Sequence, residues 1–199
     1  DTEIVAHPDF EDRIICFQDF CNGRKEMYDD NGHGTHVSGI IAGNGKMSEQ
    51  YLKGTAHKVR IYSGVAPKCR IIMLKVLDEN GNGNTRKVLD AVQWVKDNRE
   101  RYHIRILNIS VGMLPGAGLE EQRKLLHAID ELWDEGIMVV AAAGNNGPKE
   151  NTVTIPGISR KVLTVGSSDD DTSDHGRKVL KTGYSGRGPT ACCIVKPEI

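Results

Sequence analysis

Aromatic side chains are scarce in this chain, at 5% of 199 residues, and no apolar run is long. The longest, Ile137 to Ala143, is far too short to cross a bilayer, so no membrane partner is expected. Charge of one sign is lacking too. Lys and Arg number 26 against 27 Asp and Glu, a formal charge of −1, and the basic residues are scattered rather than gathered into a stripe. That balance excludes the polycationic face needed to neutralise nucleic-acid phosphates. With 38% apolar residues and few rings, the core must be built from Ile, Val, Leu and Ala. The length suits one domain with a sizeable core.

Cysteines are few and odd in number: Cys16, Cys21, Cys69, Cys192 and Cys193. None forms a Cys-x-x-Cys pair, which excludes a structural zinc site of that kind. Cys192 and Cys193 are adjacent, and such neighbours rarely bridge without strain. A chain this large needs no disulfide staples. The odd count fits free thiols in a reducing compartment and favours a cytoplasmic location over a secreted one.

Elements alternate in type along the chain. Residues 70–76, 104–109, 137–143 and 162–165 read as strands. Their apolar runs are nearly continuous, which suits parallel strands covered on both faces. Between them, Val88, Leu89, Ala91, Val92 and Val95 recur at helical spacing behind an N-cap at Asn84 or Thr85. Leu125, Leu126, Ile129, Leu132 and Trp133 share a face of a second helix that starts near Leu119 and stops at Gly136. Loops are expected at 78–84, 115–118 and 167–176. The class is α/β, a three-layer α/β/α arrangement with a mostly parallel sheet.

Three segments carry residues suited to chemistry. Asn31-Gly32-His33-Gly34-Thr35-His36-Val37-Ser38-Gly39 sets two imidazoles beside Asp29 and Asp30. Asp1 opens the chain, and in open parallel sheets reactive groups gather beyond the carboxyl ends of strands. A serine hydroxyl attacks only when an imidazole takes its proton and a carboxylate fixes that imidazole. Alone, His33 suits a surface or capping histidine equally well. His36 at i+3 offers a metal pair, with Asp29, Asp30 or Cys21 as further ligands, the basis of a metal-dependent hydrolase as an alternative. Packing and hydrogen bonding are the plainer role for His36. At Ala142 to Gly147 a strand ends in a carboxamide. Asn145 could donate to a developing oxyanion there, or the run is only an Asn-Gly turn. Ser110-Val111-Gly112 is a short extended edge able to pair with a peptide.

Together these segments resemble the subtilisin-like serine proteases, the subtilase family or peptidase family S8. Asp1-Thr2 ahead of His7-Pro8-Asp9-Phe10 resembles the family's aspartate motif, and residues 31–39 its histidine motif. Ser63 to Pro67, Lys75 to Asp78, Asn108 to Ser110 and Ala142 to Gly147 follow in the family's order. Tyr184 to Pro189 and Lys196 to Ile199 resemble the approach to its nucleophile. The resemblance implies Asp1 as orienting acid, His33 as general base and acid, and Asn145 as oxyanion donor. Ser110 and Gly112 would line the substrate wall. It also implies a polypeptide substrate, a pro-segment as partner, no cofactor for the chemistry itself, and structural calcium with Asp9 as ligand.

The sequence departs from the pattern twice. Glu3 stands where the family has glycine, so the backbone there must avoid a positive φ. The Gly-Thr-Ser nucleophile motif does not occur. Ser185, in Gly-Tyr-Ser-Gly-Arg, lacks the final glycine of a nucleophile elbow, and Ser38 shares the His33 helix. Residues 1–199 therefore read as a partial peptidase domain that starts at the catalytic aspartate and ends before the nucleophile motif. A first strand ahead of Asp1 is expected. By itself such a fragment would be inactive. An inactive peptide-binding scaffold is the alternative from another class.

Overall fold

Near-continuous apolar runs become parallel strands throughout. The computed structural model describes residues 1–52, 61–116, 118–167 and 183–199. Its elements in order are β1 (Ile14–Asp19), α1 (His33–Ala42), α2 (Lys46–Leu52), β2 (Ile71–Lys75), α3 (Thr85–Tyr102), β3 (Ile106–Ile109), α4 (Leu119–Asp134), β4 (Met138–Ala142) and β5 (Leu163–Val165). The chain divides into two compact units, Asp1–Ala91 and Val92–Ile199, with the boundary inside α3.

In the first unit β1 pairs parallel with β2, from Ile14 opposite Ile71 to Asp19 opposite Lys75, with an irregularity between Ile14 and Cys16. Ile4, Phe10 and Met73 form the core, with Ile14, Phe17 and Ile71 packed on it. The loop after β2 is a turn built on Asp78. Its carboxylate accepts the N–H groups of Asn80 and Asn82 at 3.0 and 2.8 Å, as an Asx turn does. Asn84 caps α3, its side-chain oxygen accepting the Lys87 N–H at 2.9 Å.

The second unit carries β3, β4 and β5 in that spatial order, all parallel. Helix α4 joins β3 to β4 and packs on β4. Leu125, Ile129 and Leu132, spaced four and three apart, are its buried face. Burying each such side chain contributes about 1.5–3 kcal/mol. Trp133, expected on that face, is exposed instead, because its position lies one residue round the helix from Leu132. Strand β1 and helix α2 add to the expected elements. Most of the loop expected at 167–176 lies outside the described residues, as does residue 117 of the loop at 115–118. Among the described residues no helix is long and apolar enough to cross a membrane.

Candidate active site

Asp1 and His33, 32 positions apart, meet in the first unit: His33 Nδ1 lies 2.7 Å from Asp1 Oδ1. His33 opens α1. Asp1 lies beside the end of β2, its carbonyl accepting the N–H of Val76 at 3.0 Å. The Asp1 side chain is 10% exposed and the His33 side chain 49%. Asp1 Oδ1 also accepts the Thr2 N–H at 2.7 Å, which fixes the carboxylate from behind. A carboxylate at Nδ1 selects the tautomer protonated there and leaves Nε2 to exchange a proton.

Three further links stitch the opening segment to the first turn of α1. Thr2 Oγ1 accepts the Gly34 N–H at 3.0 Å, and Val5 N–H donates to Thr35 Oγ1 at 3.1 Å. Glu3 Oε1 accepts the Asn31 and Gly32 N–H groups at 3.0 and 3.1 Å. The backbones nearly touch, because a Cβ at position 34 would lie 2.0 Å from the Glu3 carbonyl oxygen. Glycine is required there by space.

Glu3 looked like a flaw in the aspartate motif, yet it is fully buried and ion-paired. Its Oε2 accepts Lys75 Nζ at 2.8 Å, and neither side chain has exposed surface. Asp30 Oδ1 is 3.3 Å from the same ammonium. Burial pushes the Glu3 carboxyl up from its ordinary value, against the pull of Lys75. Burial also opposes charge on Lys75, but its bonds to Glu3 and Asp30 prevail and push it up to about 12. At Asp29 burial is outweighed by bonds from the Thr35 hydroxyl, Glu3 and the Asn31 and Gly32 amides, which hold the carboxyl below its ordinary value. Glu3 has no positive φ. Among the described non-glycine residues only Glu11, His103, Asn151 and Cys193 do. The sequence carried a signal for Lys75 alone: a lysine in the apolar run Ile71–Lys75 needs an acid if buried, without naming which.

The other expected residues stand in the second unit. Asn145 is exposed and follows Gly144, whose φ of +90 turns the chain sharply after β4. The turn is held by Gly186 N–H to Gly144 O at 2.8 Å and Gly147 N–H to Tyr184 O at 2.9 Å. Ser110 Oγ accepts Asn108 Nδ2 at 2.8 Å. Gly112 is exposed at the surface and lies against Thr154, next to the antiparallel bridge between Met113 and Ile155. Neither rival serine is accessible. Ser38 and Ser185 are both buried, and Ser185 Oγ accepts the Ser167 N–H at 3.1 Å.

His36 is exposed rather than packed, as its place on the outer face of α1 dictates. No group of three or more His, Cys, Asp and Glu is gathered to hold a metal ion among the described residues. Asp9 is bonded here to protein donors. Its Oδ1 accepts the Met47 N–H at 2.7 Å, and its carbonyl accepts bonds from Asn44 and the Arg13 guanidinium.

Known proteins resemble this chain along its length. Serine protease AprX of Bacillus subtilis (strain 168) is 39% identical over 207 residues, 100% of this chain and 44% of AprX. Minor extracellular protease Epr of the same strain is 33% identical over 71% of this chain and 19% of its own length. The solved structure of the S41 psychrophilic protease has a TM-score of 0.70 at 26% identity, over 94% of this chain and 56% of that one. The fold is thus the expected subtilisin-like α/β class. The chain spans less than half the length of AprX.

The cytoplasmic location favoured by the odd cysteine count is overturned by these relatives, since Epr is extracellular by name. All five thiols are unbridged. A core of this size is stable without disulfides in either compartment, so an odd count does not report location. A family model described as the Subtilase family matches residues 1–199. Matched over its whole given length and 39% identical to one member, this chain belongs to the subtilase family.

Proposed function

We propose that the protein is a serine endopeptidase that hydrolyses peptide bonds through an acyl-enzyme, with residues 1–199 as part of its peptidase domain. Asp1 holds the His33 imidazole by Nδ1, and His33 Nε2 takes the proton of a serine hydroxyl and later returns it to the leaving amine. Asn145 donates to the oxyanion of the tetrahedral intermediate, where a hydrogen bond gains most as charge develops. Ser110 and Gly112 flank the backbone of the bound polypeptide. The nucleophile is assigned outside these 199 residues, since the Gly-Thr-Ser motif does not occur in them and the rival serines Ser38 and Ser185 are buried. No step of the chemistry is assigned to calcium.

The observation that carries this reading is the 2.7 Å contact between His33 Nδ1 and Asp1 Oδ1. Full-length protein is expected to react with a fluorophosphonate at one serine. His33→Ala abolishes that reaction, and residues 1–199 alone give none. A folded, fully processed wild type that resists labelling would sink the proposal in favour of a peptide-binding scaffold.

A further inference from the structure

At the N-terminus of α1 the His33 N–H is answered locally, by Asn31 Oδ1 at 3.2 Å, but the N-cap position is not. Gly32, the N-cap residue, offers no side-chain bond, and the first turn contains no acid. The N–H groups of Asn31 and Gly32, at the positive end of the helix dipole, are answered by carboxylates from outside the helix. Asp29 accepts the Asn31 and Gly32 N–H groups, at 3.1 and 2.5 Å, but it belongs to the same loop and moves with the helix. Glu3 accepts the same two N–H groups from the segment that carries Asp1, two residues away. It is the carboxylate that ties the acid's segment to the turn that presents the imidazole.

The far oxygen of Glu3 is held as well. Lys75 Nζ donates to Oε2 at 2.8 Å from β2, and Asp30 and the face of the Tyr28 ring complete the ammonium's surroundings. With both Glu3 and Lys75 fully buried, swinging either away would leave an unpaired charge in the interior, a far costlier arrangement. The Glu3 carboxylate is thereby fixed at both oxygens. Its bonds to residues 31 and 32 set the rotation of the turn on which His33 sits.

We propose that Glu3 is a positioning residue for catalysis, locking the start of the His33 helix to the Asp1 segment with Lys75 as its anchor; this rests on the protease reading above. A displaced imidazole loses turnover more than binding, because proton transfer depends on distance at the reacting atoms.

The test uses full-length protein in a Lys75→Met background, so that no unpaired ammonium is left when Glu3 is changed. Glu3→Ala with Lys75→Met leaves both N–H groups to Asp29 and removes the acceptor that reaches them from the Asp1 segment. Its kcat per titrated active site is expected to fall about 10- to 100-fold, with KM within about twofold of wild type. Glu3→Gln with Lys75→Met restores an acceptor oxygen of the same reach, and kcat is expected to return to within about threefold of wild type. Counting titrated sites removes the effect of lost folded protein, which is all a purely structural role would change. Equal kcat in the two double variants overturns the positioning role and leaves the protease reading intact. A wild type unreactive towards fluorophosphonate overturns both. Should either double variant fail to fold, Glu3→Asp is measured instead. Its shorter arm cannot reach Lys75 and the two amides together, and an unchanged kcat there equally overturns the proposal.

Discussion

A carboxylate and an imidazole make a working pair only when each is held from behind. Asp1 is held by the Thr2 N–H on the very oxygen that meets His33, and α1 is pinned by Thr2, Glu3 and Val5. In the proposed mechanism Asp1→Asn leaves these supports in place but offers an amide where the ring needs an acceptor. The kcat of full-length protein is expected to fall on the order of 10⁴-fold with little change in thermal midpoint. Turnover within tenfold of wild type would remove Asp1 from the mechanism. The identities of Asp1 and His33 are legible in the sequence, because each sits in a compact local motif. Glu3 and Lys75 are not, since 72 positions separate them and nothing local to Glu3 names its partner.

Among the elements, helices are written more plainly than strands. The spacing of Val88, Val92 and Val95 predicts α3, and its cap at Asn84 follows from the residue type. Asn84→Ala is expected to cost about 1 kcal/mol in denaturant unfolding. On α4, Leu125 lies fully buried on the face turned to the core, and Leu125→Ala is expected to cost about 2–5 kcal/mol by the same measurement. A loss below about 1 kcal/mol at Leu125, well under the range for a core truncation, would mean that α4 does not bury this face. The four strands expected from apolar runs appear with slightly shorter bounds. Strand β1 is harder to read because every one of its first five residues is only half-buried, so its pattern matches neither a covered nor a one-sided strand. Helix α2, at 7 residues, is too short for helical spacing to show.

At the scale of the whole molecule, the buried pair couples fold stability to pH. Lys75 holds its proton more tightly when folded, its ordinary value near 10.5 being raised to about 12. The sign follows: its contribution is fully present below about 10.5 and is lost as pH rises through about 12. Wild type is expected to lose unfolding free energy across that window more steeply than the variant with Glu3→Gln and Lys75→Met, as read from urea midpoints. Equal slopes would show that Lys75 is not charged against Glu3 in the folded state. What the sequence by itself determined is the parallel α/β class, the principal helices and strands, and the local motifs in which Asp1 and His33 sit. Those follow from side-chain period, turn residues and short motifs, which are local consequences of backbone geometry. The tertiary structure alone decided that Glu3 serves as an anchored acceptor, that Asp9 is committed to Met47, and that Ser185 is buried. A buried charge takes whichever partner strand register and chain crossing bring to it, and no local pattern encodes that meeting.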